Sequence, residues 1–420
     1  MTALPPETDI TNAASEAAAK TFFTNLRAYL SGVLGAAGDK IYQDQIAEAT
    51  ADAGVTVDGT LLKDGGIVLA AGKTVAPGDG GTGLEAALTT ADYGKSLQVN
   101  AAGTALELAG PLQGFRNKII NGRFDVWQRG TNFTATNIYT ADRWDIGTSA
   151  APTAITVSRQ SFSAGQTDVP GEPTYFLRLD KADNAAWPRH KIEDVRTLAG
   201  QTATLSFYAK AGAVTTHDVT VNQIFGSGGS ATVAATVTLS SANVGTGWAK
   251  YTATIELPSI SGKTIGTNSY VEINIIPAGG AVIYDLAQVQ FEYGLVASPF
   301  EQRPPGVELG LCKWYFERRT ATVAYRTFAC GHVNSGTQAR GIIDFATKRT
   351  SPTLAFDTAS NFRVYAGVSA PAMTAIGSED VGRESCTILA TVASGLTAGN
   401  GAHIQANNST TAYIDIDAEI

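Results

Sequence analysis

The sequence predicts a mainly β protein: an N-terminal helix, a glycine-rich β stalk, an antiparallel β-sandwich and a second, C-terminal β-sandwich tip. Three observations carry this. Charged residues make up only 16% of the 420 positions and glycine supplies 44, where an ordinary soluble domain is about 25% charged. Segments of five to twelve residues alternate apolar with polar side chains, the period of a strand. A helical period recurs convincingly in one place only, near the start.

That place is "TNAASEAAAKTFFTNLRAYLSGVLG". Ala14, Ala18, Phe22, Leu26, Leu30 and Leu34 fall at helical spacing, with Glu16, Lys20 and Arg27 elsewhere and Gly35 as the stop. Such a stripe on a lone helix stays wet until copies of the helix, or a partner's groove, cover it. The 12 glycines in residues 51–113, the Asp58-Gly59, Asp64-Gly65-Gly66 and Gly78–Gly81 turns and the scarcity of large apolar residues describe a segment unable to bury enough surface alone. It is either a flexible linker or a segment that folds only as an intertwined oligomer, and its repeated short strands favour the second, with a homotrimer expected. Its "GDGGTG", Gly78 to Gly83, matches a dinucleotide fingerprint in letters alone. Pro77 breaks the strand edge and no βαβ unit follows, so it reads as a stalk turn.

From residue 114 the alternation becomes regular. "TAITVSRQ", "TYFLRLDK", "QTATLSFYAKAG", "DVTVNQIF", "ATVAATVTL", "AKYTATIEL", "SYVEINIIP" and "AVIYDLAQVQFEYG" give about eight strands separated by turns, the count and spacing of a jelly roll. Pro304-Pro305-Gly306 marks a boundary, and "VELGLCKWYFER" reads as a short helix or an amphipathic bridge. More β follows, ending in "AYIDIDAEI", where Tyr413, Asp415, Asp417 and Glu419 alternate with Ile414, Ile416, Ala418 and Ile420. The expected organisation is 1–50 helical attachment and trimerisation region, 51–113 stalk, 114–310 jelly roll and 311–420 tip.

Composition excludes several functions. Residues 1–113 hold 6 Lys+Arg against 13 Asp+Glu, most of the net charge of −8, and the rest is close to neutral. No basic face for nucleic acid stands out. "MTALPPETDITN" has no signal-peptide pattern and no apolar run suits membrane insertion. Synthesis and folding in a cytoplasm are expected. Cys312, Cys330 and Cys386 are too few and too dispersed for a disulfide framework or a zinc site and read as small buried hydrophobes. No nucleophile elbow, H-E-x-x-H or P-loop occurs, and His190, His217, His332 and His403 are scattered, so no catalytic residue is assigned. Asp180, Glu193, Asp194, Asp285 and Glu292 could pair as a glycosidase requires, or decorate solvated strand faces.

Aromatic residues among polar ones say more, because a sugar offers flat C–H faces beside hydroxyls. Trp187, read as lying in a loop next to Arg189 and His190, and Tyr208, on a strand face with Thr204, Ser206 and Lys210, are the candidate carbohydrate-binding residues.

"GFRNKIINGRFDVWQRGTNF…YTADRW", "GQTATLSFYAKAG" and "DLAQVQFEYGLVASPFEQRPPGVELGLCKWYFER", in that order over residues 114–318, resemble bacteriophage tail-fibre proteins with a jelly roll similar to carbohydrate-binding modules. "GDGGTGLEAAL…YGKSLQVNAAGTALELAG" resembles fibre stalks and "YIDIDAEI" their last strand. The extreme N-terminus departs from the pattern, with no recognisable attachment motif. The resemblance implies a trimeric, non-enzymatic adhesin located in the virion. It would attach through its N-terminal region to tail or baseplate proteins and recognise a host cell-surface glycan. Trp127, Arg129 and Trp144 would be structural, Phe124 and Trp127 plugging one end of the core, with Asp142 and Arg143 in a local ion pair or hydrogen bonds. It further implies no cofactor beyond a structural calcium near Asp125 and Asp285. The rival readings are a surface-polysaccharide depolymerase and a capsid or collar fibre.

Overall fold

The computed structural model describes residues 16–33, 55–57, 60–63, 66–67, 96–99, 106–109 and 115–420, except 153, 184–185 and 240–241. The chain divides into two compact units, Met1–Thr89 and Thr90–Ile420. The first holds α1 (Glu16–Val33) and a three-stranded antiparallel sheet of β1 (Val55–Val57), β2 (Thr60–Lys63) and β3 (Gly66–Ile67). In α1, Phe22 and Leu26 are half-buried while Phe23 is exposed, so the expected stripe is present where side chains are described. The Gly78–Gly83 turn lies outside the described residues.

The second unit begins with a hairpin, β4 (Ser96–Val99) and β5 (Leu106–Ala109). Thirteen strands then build a sandwich: β6 (Asn132–Phe133), β7 (Trp144–Thr148), β8 (Ile155–Ser161), β9 (Tyr175–Lys181), β10 (Ala186–Glu193), β11 (Thr202–Ala211), β12 (Thr215–Ile224), β13 (Val233–Ala234), β14 (Thr236–Val237), β15 (Ala242–Val244), β16 (Ala249–Glu256), β17 (Tyr270–Pro277) and β18 (Val282–Tyr293). One sheet runs β13-β12-β17-β10-β7, with β15 also on β12; the other runs β14-β16-β11-β18-β9-β8-β6. Leu205, Phe207, Ile273, Tyr284, Leu286 and Phe291 meet between them in one core, as two packed antiparallel sheets require. Within β18 the alternation slips after Leu286 and resumes at Val289. A bulge explains it: Ser206 pairs with Gln290 but Tyr208 with Ala287, and Gln288 has φ 46°.

Among the strands that escaped the sequence reading, two lie side by side. Trp187 lies in β10, not in a loop, and β7 was missed beside it. Pro188 argued against a strand because it donates no hydrogen bond. Here Pro188 stands opposite Ile146, whose carbonyl faces away from β10 and accepts from the Asn137 N–H at 3.2 Å, so the missing Pro188 N–H leaves that acceptor satisfied.

The "NGRFDVWQRG" stretch closes one end of this core. Asn121 takes φ 57°; its Oδ1 accepts from the Val126 N–H and its Nδ2 donates to the Val126 and Asp142 carbonyls. A side chain on Gly122 would collide with the Val289 carbonyl oxygen. Phe124 and Trp144 are buried against each other with ring centroids 5.0 Å apart, and the Trp127 indole donates to the Phe124 carbonyl at 2.7 Å.

After α2 (Pro305–Lys313) come β19 (Phe316–Thr320), β20 (Thr327–Ser335), β21 (Gln338–Asp344), β22 (Thr353–Phe356), β23 (Phe362–Tyr365), β24 (Met373–Glu379), β25 (Ser385–Val392), β26 (Gly401–Ala406) and β27 (Tyr413–Asp417). Sheets β19-β27-β22 and β23-β26-β20-β21-β25-β24 enclose a second core around Phe362, Ile388, Ile404, Ile414 and Ile416. Cys312 and Cys386 are buried as expected; Cys330 is exposed, on the outer face of β20.

Sandwich and tip are joined by charge. Arg143, 1% exposed, pairs with Glu419, donates to the Lys191 carbonyl at 2.5 Å and lies 3.5 Å from the Tyr315 ring. Arg129 reaches Asp417 and Glu419 at 3.2 and 3.3 Å and covers the Phe316 ring. Asp142 accepts from the Gln128 backbone and side chain, and Gln128 in turn donates to the Phe316 carbonyl. The local Asp142–Arg143 pairing is therefore replaced by two separate contacts reaching toward the tip. Glu419 is itself buried, 6% exposed, between the two arginines.

Candidate functional site

The outer face of the sandwich sheet β13-β12-β17-β10-β7, six strands with β15, carries aromatic and polar side chains tied together by hydrogen bonds. In β10 buried and half-buried residues alternate strictly, so Trp187, Arg189, Lys191 and Glu193 point away from the core and Ala186, Pro188, His190 and Ile192 toward it. Trp187 lies across from Gly147 of β7. A methyl group at position 147 would meet the indole edge, with Cε2 at 2.8 Å, so glycine clears the place where the ring rests. The indole N–H donates to Asn274 Oδ1 at 2.8 Å. The Asn274 amide donates to Thr220 Oγ1 and Glu272 Oε1, and Asn222 also donates to Glu272.

Arg189 sits beside this chain of bonds. It makes two parallel 2.8 Å hydrogen bonds to Asp145, with Glu272 3.7 Å away, and this bonding holds its guanidinium charged. Lys191 adds a 3.4 Å contact to Asp145 and lies 5.5 Å from the Tyr270 ring centre. Burial and the nearby Glu272 raise the Tyr270 pKa, keeping its phenol neutral. The face thus offers an indole and a phenol among amide, hydroxyl, carboxylate and guanidinium groups already held in place. Such a surface can stack the C–H face of a sugar and hydrogen-bond its hydroxyls without first ordering its own side chains.

The four residues singled out from the sequence do not converge. Trp187 and Arg189 share this face. His190, next along the strand, is buried: its ring packs edge-on against Trp144, its Nε2–H donates to the Ile120 carbonyl, and burial pushes its pKa well down. A neutral core histidine cannot touch a glycan here. Tyr208 belongs to β11 of the opposite sheet. Reading the strand alternation of "SYVEINIIP" would have placed Tyr270, Glu272 and Asn274 on one face. Gly147 left no signal in sequence, since its role exists only across the strand pair.

The calcium expectation does not fit the residues present. Both Asp285 oxygens accept from Arg178, at 2.7 and 2.8 Å, with Lys210 3.7 Å away, so cationic side chains already occupy the carboxylate. Asp125 lies by Arg123 instead. Among the described residues no group of three or more His, Cys, Asp or Glu side chains is placed to hold a metal ion. Of the other carboxylates considered as a catalytic pair, Glu193 accepts from Trp314, Tyr315 and Arg349, Asp194 from Arg196, and Glu292 from Ser298 and Gln290. Among the described residues no helix is long and apolar enough to cross a membrane.

No family model and no curated protein matches the chain. Among solved structures it is similar to the CBM22-1 xylan-binding domain of Paenibacillus barcinonensis Xyn10C, with 12% identity and a TM-score of 0.27 over 42% of this chain and 94% of that one. A putative sugar binding protein from Bacteroides thetaiotaomicron gives 14% identity and a TM-score of 0.29, over 42% of this chain and 100% of the other. The enzymatically active domain of bacteriophage CBA120 tailspike protein 4 gives 16% and 0.28, over 44% of this chain but 23% of that one. Likenesses this slight decide neither ligand nor activity.

Proposed function

We propose that this chain is a non-enzymatic structural fibre of a tailed-phage virion, a tail fibre, that adheres to a bacterial surface glycan. The observation that carries the reading is the outer face of the six-stranded sheet, where Trp187 is held between Gly147 and Asn274 beside the Arg189–Asp145 pair. The ordered motifs of residues 114–318 and the final strand support the fibre assignment. The α1 stripe supports assembly as a homotrimer, with the N-terminal region contacting tail or baseplate proteins. Trimeric display would let weak single sites hold a cell by avidity.

The test is binding of the purified protein to polysaccharide extracted from susceptible cells. Trp187→Ala is expected to weaken binding about tenfold or more, some 1.4 kcal/mol, with the protein still folded by circular dichroism and only a modest fall in melting temperature from the lost bond to buried Asn274. Unaltered binding by Trp187→Ala would remove the face from the proposal. New reducing ends in the polysaccharide would overturn the non-enzymatic reading, and a stable monomer in sedimentation would overturn the trimer.

A further inference from the structure

The seven-stranded sheet carries an aromatic cluster on its outer face. In β9, Leu177 and Leu179 belong to the sandwich core, so Phe176 and Arg178 point away from it. Phe176 meets Phe162 and Trp248 with ring centroids 4.8 and 5.2 Å away, and Phe162 lies 5.2 Å from Trp248. None of the three rings belongs to either core. Phe176 is buried between the others, while Phe162 and Trp248 are each half-buried. The result is an apolar platform outside the core, partly open to water.

The polar groups around it are mostly donors. The Lys210 ammonium lies 5.1 Å from the Trp248 ring centre and 5.8 Å from that of Phe176. Tyr208, two residues before Lys210 and on the same face of β11, stands opposite Lys250 of β16. Burial raises the Tyr208 pKa, so its phenol stays protonated. Among the described residues the Trp248 indole N–H and the Tyr208 hydroxyl have no hydrogen-bond partner, and the exposed Lys250 ammonium has no ion pair. The face holds two carboxylates. Asp285 is 2% exposed and already accepts two hydrogen bonds from Arg178, with Lys210 3.7 Å away. Asp180 stands two residues further along β9, opposite Ile283. Arg178, Lys210 and Lys250 therefore outnumber the acids, and the acid nearest the platform is neutralised.

A sugar ring can stack its C–H face on such a platform. Unspent ammonium, indole and phenol donors beside it ask for a ligand rich in acceptors, and a carboxylate on the ring answers them most strongly. We propose that this face is a second glycan-binding site, selective for an acidic sugar residue of the uronate class. The ring would lie on Trp248 and Phe162, with its carboxylate toward Lys210 and Lys250. The inference rests on the reading of the chain as a glycan binder, but not on the Trp187 face, which belongs to the other sheet.

Saturation-transfer NMR on the full chain tests this, with D-glucuronate and D-galacturonate as acidic probes and D-glucose and D-galactose as their neutral counterparts. At least one acidic probe is expected to bind wild type and Trp187→Ala alike, more tightly than its neutral counterpart and less tightly as sodium chloride is raised. Lys250→Glu, at an exposed position, should weaken this binding about tenfold or more. Trp248→Ala should abolish it with the fold retained by circular dichroism; if that variant fails to fold, the Lys250→Glu result decides. Trp187→Ala that loses host polysaccharide but keeps the acidic probe supports two separate sites. Binding of neither acidic probe overturns the proposal, and so does equal binding of the acidic and neutral sugars. Loss of acidic-sugar binding in Trp187→Ala, or binding that neither Lys250→Glu nor Trp248→Ala alters, overturns it as well.

Discussion

Arg143→Met isolates the contact that joins sandwich to tip. Methionine keeps most of the side-chain volume and removes the charge. Arg143 is 1% exposed and its partner Glu419 6%, so neither charge is compensated by water. Breaking a buried pair from one side costs about 3–5 kcal/mol, because the remaining charge is stranded. Arg129 stays 3.3 Å from Glu419, which argues for the lower end, about 3 kcal/mol. The lost hydrogen bond to the Lys191 carbonyl and the lost packing on Tyr315 act in the same direction. For domains of this size ~3 kcal/mol lowers the melting temperature by roughly 6–12 °C. Calorimetry of wild type, Arg143→Met, Glu419→Gln and the double variant gives the coupling energy directly. The double variant should recover much of the loss, since no charge is left unpaired. Acidity supplies an internal check. Burial already raises the Glu419 pKa, and losing Arg143 raises it further. A carboxyl with a raised folded pKa favours the fold when protonated, so that stability is present at low pH and lost as pH rises through the folded value. The deficit of Arg143→Met should therefore be larger at neutral pH than in acid. A melting temperature within a degree of wild type, with coupling under about 0.5 kcal/mol, would refute the reasoning.

Three further outcomes are expected. Trp127→Ala removes a buried indole from the sandwich core and should cost about 3–5 kcal/mol, seen as earlier melting of the sandwich. Gly147→Ala pushes a methyl into the Trp187 indole and should destabilise by roughly 1–3 kcal/mol, with altered tryptophan emission and weaker glycan binding; wild-type emission would show that the ring does not rest there. His217 is fully buried, 2.7 Å from the Tyr284 hydroxyl, and burial pushes its pKa down to about 4. Its neutral form favours the fold, so this stability is complete above about pH 6.5 and fades as pH falls toward 4, by about 3 kcal/mol in all. Chemical denaturation at pH 7 and pH 4 should show His217→Gln closing its gap to wild type in acid; a gap that does not change with pH would exclude titration of this histidine.

The sequence by itself determined what period-2 alternation can carry. The strands from "TAITVSRQ" to "AVIYDLAQVQFEYG", their inward Leu205 and Phe207 and the last strand with Ile414 and Ile416 inside were all readable, because one face of each must be apolar and the other need not be. The helix of residues 16–33 was readable for the same reason at its own period. Only the tertiary structure decided what happens between elements distant in sequence. Pro188 conceals β10 until the strand is seen paired with β7 on one side and β17 on the other. His190 and Trp187 differ by three positions yet end on opposite sides of a sheet, which becomes known only once the strand is known. Gly147 matters through a ring on the neighbouring strand, and Arg143 through a glutamate 276 residues away. Pairing of buried charge over such distances leaves no local pattern, since each partner alone reads as an ordinary polar residue.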